Sequence, residues 1–72
     1  MKELVRTNDP VLLSFLQALL RDAGIEAIVF DTHTSILEGS AGAIPRRLMV
    51  IADDYGPARA LIEQAGHGAE LV

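Results

Sequence analysis

The chain has no cysteine and no tryptophan, and its aromatic residues are only Phe15, Phe30 and Tyr55. Missing thiols exclude disulfides and thiolate metal centres together. His33 and His67 are the sole imidazoles, too few to expect a structural zinc site, and no cofactor is expected. The scarcity of rings removes the stacking platforms on which bases are read. Cations are scarce too: six Lys and Arg stand against ten Asp and Glu, a net charge of −4, with a pI near 4.9. Nucleic-acid binders neutralise phosphates with Lys and Arg, and anionic membranes attract basic clusters, so neither partner is expected. No apolar run approaches the roughly 18 residues of a membrane span. Met1-Lys2-Glu3-Leu4 opens without an apolar stretch or a cleavage site, so no secretory leader is expected and the compartment is read as cytoplasmic.

What is present is aliphatic. Half of the 72 residues are apolar, mostly Ala, Leu, Ile and Val. The length allows one domain, residues 1–72. A domain this small buries only about 60% of its unfolded surface. With disulfides and metals gone, self-association is the remaining stabilising device, expected through an edge strand or an exposed sheet face.

Local patterns place the elements. Lys2 to Thr7 reads as a first strand around Leu4 and Val5. Asn8-Asp9-Pro10 then starts a helix: proline pre-sets the first helical φ, and Asp9 is the N-cap. Leu12, Phe15, Leu16, Leu19 and Ala23 recur at helical spacing, with Leu13 and Leu20 broadening the arc. Gly24 is the stop. Ile25 to Asp31 (IEAIVFD) is a β-branched, aromatic strand. Thr32 to Pro45 is a long Gly- and Ser-bearing loop. Arg46 to Ala52 (RRLMVIA) is apolar on both faces, as suits a central strand. Asp54 is the expected N-cap of a second helix running to about Ala65, with Pro57 in its first turn. Ala58, Leu61, Ile62 and Ala65 form its buried stripe, and Gly66 ends it. Glu70-Leu71-Val72 adds a short last strand. The order β-α-β-β-α, with that short last β, is the α+β two-layer solution: two helices on one face of an antiparallel sheet, in ferredoxin-like connectivity. The first and third strands are then central and the second is an edge in need of a partner.

Chemistry-bearing residues are few. Asp31-Thr32-His33-Thr34-Ser35 brings acid, imidazole and hydroxyl together in sequence. A nucleophilic triad needs contact between residues held by different elements, which side chains leaving one strand do not provide. The segment reads as a polar cluster at a loop mouth, and Asp31 with His33 lacks a third metal ligand. Asp53 and Asp54 precede a Pro-containing helix start, as capping acids do. Gly39-Ser40-Ala41-Gly42 has neither phosphate-loop nor dinucleotide spacing. It reads as a hairpin loop, with a small anion nest as the alternative. Adjacent on a strand, Arg46 and Arg47 point to opposite faces. One covers a face with its stem; the other is placed to hold an anion or a partner carboxylate.

"TNDPVLLSFLQALLRDAGIEAIVFD" and "RRLMVIADDYGPARALIEQAG" resemble a family of small bacterial proteins catalogued as prokaryotic signal-transducing proteins and placed with the GlnB-like (PII-like) ferredoxin folds. The resemblance spans residues 3–66 and rests on Ala23-Gly24-Ile25, the apolar strand after the loop, and an acidic start before Ala58 to Ile62. It implies the ferredoxin-like fold and a regulatory role, and brings no catalytic motif. PII regulators carry a longer loop at the place of Thr32 to Pro45, and their nucleotide motif is absent here, so no PII ligand is carried over. "NDPVLL" and "AGIEAIV" are also similar to the start of amino-acid-binding ACT domains. Val11, however, stands where those domains place a ligand-contacting glycine.

These readings lead to a non-enzymatic regulatory module that binds a protein partner through loop 32–45 and the sheet edge. The binding residues are expected to be Thr32, His33, Ser35, Gly39, Ser40, Gly42, Arg46 and Arg47. A sensor of a small anionic effector (amino acid, nucleotide or oxo-acid) is the alternative. A small hydrolase using Asp31, His33 or Asp53 is the third reading.

Overall fold

A computed structural model of the chain describes residues 1–30 and 45–72. Strand β1 (Lys2–Thr7) leads into helix α1 (Pro10–Asp22) through the expected cap. Asp9 is extended, at φ −83 and ψ 106, as a residue before proline should be. Its Oδ1 accepts from the Val11 N–H at 2.9 Å and the Leu12 N–H at 3.2 Å. The Asp9 N–H in turn donates to Thr7 Oγ1 at 3.1 Å. At the far end Gly24 takes φ 79. The Gly24 N–H donates to the Arg21 carbonyl and the Ile25 N–H to the Leu20 carbonyl, each at 2.9 Å. This is the Schellman pairing, and its usual apolar clasp is met by Leu20 and Ile25, both buried.

Strands β2 (Ile28–Phe30) and β3 (Arg46–Val50) complete a three-stranded sheet of order β1-β3-β2. Both pairings are antiparallel. Among the described residues β3 is therefore central and β2 lies at an edge, as expected, whereas β1, also expected to be central, lies at the other edge. The register between Glu3 and Val5 slips by one residue, making a bulge at Leu4. That slip lets Leu4 and Val5, neighbours in sequence, both be fully buried. On the other side of β1 the expected last strand is reduced to one bridge, Val5 with Leu71, plus a Val72 N–H donating to the Leu4 carbonyl at 2.9 Å.

After Val50 the chain turns through a 3₁₀ segment (Ala52–Asp54) into α2 (Tyr55–Gln64). Gly66, at φ 88, closes α2 as Gly24 closes α1. Its N–H donates to the Glu63 carbonyl and the His67 N–H to the Ile62 carbonyl, both at 3.0 Å. Both helices cover one face of the sheet. Leu13, Leu16 and Leu20 of α1, and Ala58 and Ile62 of α2, meet Leu4, Val5, Leu48 and Val50 in one aliphatic core with Ile25. The result is a small α+β fold consistent with ferredoxin-like architecture.

Several expectations are corrected. The buried stripe of α1 is Leu13-Leu16-Leu20, with Leu12 and Leu19 on its flanks. Phe15 is left 46% exposed, and Ala23 is exposed past the helix end. Three leucines at spacings of three and four form the narrower seam, and the core accepts that seam. β2 begins at Ile28, not Ile25, because Ile25 is used by the helix-ending clasp. β3 stops at Val50, and Ile51 is exposed at the turn. Asp54 does not cap α2 with its side chain: its own φ −94 and ψ −2 are already helical, since the 3₁₀ segment feeds straight into α2. Ala65 is exposed, so the α2 stripe ends earlier than expected.

Candidate functional site

Of the residues expected to bind, Thr32, His33, Ser35, Gly39, Ser40 and Gly42 lie outside the described residues, as does Asp31. Arg46 and Arg47 open β3 and alternate across it as expected. Arg46 is exposed opposite Thr7. Arg47 is half-buried on the sheet face away from the helices, opposite Arg6 of β1 and Phe30 of β2.

The strand registers fix what surrounds Arg47. Residues directly opposite in a sheet share a face. One rank across the open face is Glu3, Met49 and Ile28; the next is Arg6, Arg47 and Phe30. Ile28 is 41% exposed and Phe30 39%, while Met49 between the strands is half-buried. The face thus pairs an exposed apolar side on β2 with a charged side on β1. The bulge at Leu4 makes this possible. Residues three apart in a regular strand point to opposite faces, but the extra residue brings Glu3 and Arg6 onto the same one.

There they form a two-pronged ion pair. Arg6 Nε donates to Glu3 Oε2 at 2.8 Å and Nη2 donates to Oε1 at 3.0 Å. The fork matches both carboxylate oxygens, the geometry that arginine holds best. This hydrogen bonding to Arg6 holds the Glu3 carboxyl below its ordinary pKa, with the positive charges of Arg6 and Arg47 adding to the effect. The carboxylate in turn raises Arg6. Arg47 therefore acts on Glu3 through its field, while it makes no hydrogen bond or ion pair among the described residues.

Edge geometry completes the site. The inner side of β2 pairs with β3, and its outer side has no strand partner among the described residues. An edge of this kind offers free backbone donors and acceptors to another chain.

Other surface features lie apart from it. Lys2 Nζ sits 4.6 Å above the Tyr55 ring, and the Arg59 guanidinium is 5.7 Å from the same ring. Arg59 Nη1 also donates to the Tyr55 hydroxyl at 3.1 Å and to the Val72 carbonyl at 3.4 Å. The cluster ties residue 72 to α2, and the four-residue spacing of Tyr55 and Arg59 was its sequence signal. The His67 ring lies against Phe15, with centroids 5.4 Å apart. An open groove of about 500 Å³ beside the end of α1 has Arg21 and Glu26 as its charged residues. Among the described residues no three His, Cys, Asp or Glu are grouped to hold a metal ion. Nor is any helix among them long and apolar enough to cross a membrane.

Sequence reasoning missed Glu3, Arg6, Ile28, Phe30 and Met49 as members of one surface. The signal that could have found them is a strand pairing with its bulge, which is a relation between strands.

The sequence profile of a family described as "Putative prokaryotic signal transducing protein" matches residues 1–66. That span contains β1, α1, β2, β3 and α2, and with them the whole open face. No curated protein matches the chain.

Proposed function

The chain belongs to the family described as "Putative prokaryotic signal transducing protein", and from that premise we propose that it is a non-enzymatic cytoplasmic module that transmits a signal by binding a protein partner. The partner contacts loop 32–45 and the free edge of β2. The observation that carries this reading is the edge itself. β2 has no strand partner on its outer side among the described residues, and its Ile28 and Phe30 are exposed. Solvated edges are normally blunted by charge, proline or cover. Ile-Val-Phe is instead an apolar strand of the kind that accepts an added chain. A small-effector sensor is supported less well, because the groove beside α1, with Gln17, Arg21 and Glu26 in its lining, is open to solvent, whereas ligand sites bury most of their ligand.

Amide hydrogen exchange tests the proposal. The protein is exchanged in bacterial extract and in buffer, and peptides covering 28–45 are compared. Slower exchange there in extract is the expected result, while α1 amides exchange alike in both. Equal exchange throughout contradicts partner binding at this edge.

A further inference from the structure

The open face holds two costs that folding alone does not require. Arg6 and Arg47 are directly opposite each other across β1 and β3, a position where like charges repel. Among the described residues one carboxylate, Glu3, serves the pair, and both its oxygens are taken by Arg6. Among the described residues of this face, two cations against one acid is the reverse of the chain as a whole, where ten acids face six cations. Beside Arg47 lies Phe30, one of only three aromatic residues, left 39% exposed, with Ile28 41% exposed in the next rank. Local conflicts of this sort, a repelling pair and a wasted aromatic, gather at functional surfaces.

We propose that this face docks a partner segment bearing a carboxylate flanked by apolar side chains. Arg47 receives the carboxylate, restoring two acids to two cations. Phe30, Ile28 and Met49 receive the apolar neighbours. The proposal rests on the partner-binding reading above and names the partner's chemistry. A second copy of this chain fits poorly. It would bring its own Arg6, Arg47 and single Glu3, doubling the excess of cations instead of cancelling it. A nucleic acid fits poorly too, because the face offers one ring for stacking in a chain of net charge −4.

Selection from a displayed random heptapeptide library tests the proposal, using the full chain as bait. Recovered peptides are expected to be enriched in Asp or Glu next to aliphatic or aromatic residues. With Arg47→Glu as bait the charge preference reverses to Lys and Arg. That variant places an opposite charge across from Arg6, and circular dichroism checks that it keeps its fold. A synthetic peptide of the selected consensus is expected to lose about tenfold or more in affinity to Arg47→Gln, in line with losing one partner of a buried charge pair. Phe30→Ser should cause a comparable loss. No enrichment, enrichment without acids, or an acidic preference unchanged in Arg47→Glu overturns the proposal. So does tighter binding of an oligothymidine or oligouridine probe than of any peptide, or self-association lost in Arg47→Gln. If these fail while amides of 28–45 are still protected in extract, partner binding stands and the carboxylate chemistry falls.

Discussion

Gly24 and Gly66 each sit at positive φ, 79 and 88, a conformation that costs an L-residue about 1–2 kcal/mol. Gly24→Ala is therefore expected to lower unfolding free energy by that amount in urea. Gly56 makes the opposite case. It lies in the first turn of α2 without positive φ, and a Cβ there meets nothing within 4 Å. Gly56→Ala should stabilise by up to about 1 kcal/mol. If both changes destabilise alike, the helix-ending role of Gly24 is wrong. Glu3 supplies a pH-dependent case. Its folded pKa is depressed from 4.5 by the hydrogen bonding to Arg6. Its contribution is thus fully present above the ordinary carboxylate value and lost as pH falls through the folded value. The stability difference between wild type and Glu3→Gln should be small, positive and salt-sensitive at neutral pH, and should vanish once the pH falls below the lowered folded value. Persistence of the difference in acid would show that the pair is not what Glu3 supplies. Single residues were readable in sequence where the chemistry is local. Asp9 before Pro10 and the two glycine stops depend only on their neighbours. Asp54 was misread because whether it caps depends on the turn entering from Val50.

Elements were legible in kind and less so in extent. Both helices were found, since apolar periodicity ended by glycine is a local signal. Which leucines of α1 face inward was settled by the sheet, which accepts Leu13, Leu16 and Leu20 and leaves Phe15 half outside. Leu16→Ala should cost about 2–5 kcal/mol, a large share of the roughly 4–11 kcal/mol expected for a domain of this length. Phe15→Ala, despite removing a larger side chain, should cost clearly less. Thermal unfolding of the two variants decides it, and the reverse order would restore the Phe15-centred stripe. β2 was overestimated because Ile25 has β-strand character but is claimed by the end of α1. The bulge at Leu4 could not be read from β1 alone, because it exists only relative to β3. It is also the feature that turns Glu3 and Arg6 into a pair.

At the scale of the whole molecule, among the described residues, one layer of two helices covers one face of the sheet and leaves the other open. A chain with so few aromatics and cations places Phe30, Arg6 and Arg47 together on that open side. The sequence pointed to Arg47 and to the β2 edge, and to a binding role over a catalytic one. It could not point to the surface that joins them, since that surface is assembled from three strands in a shifted register.

Hydrogen exchange of wild type, Arg47→Glu and Phe30→Ser, each in extract and in buffer, tests that surface most directly. The expected result is protection of the 28–45 amides in wild type that disappears in both variants, with α1 unchanged in all three. Protection that survives both substitutions, or none in the wild type, would contradict the open face as the docking surface.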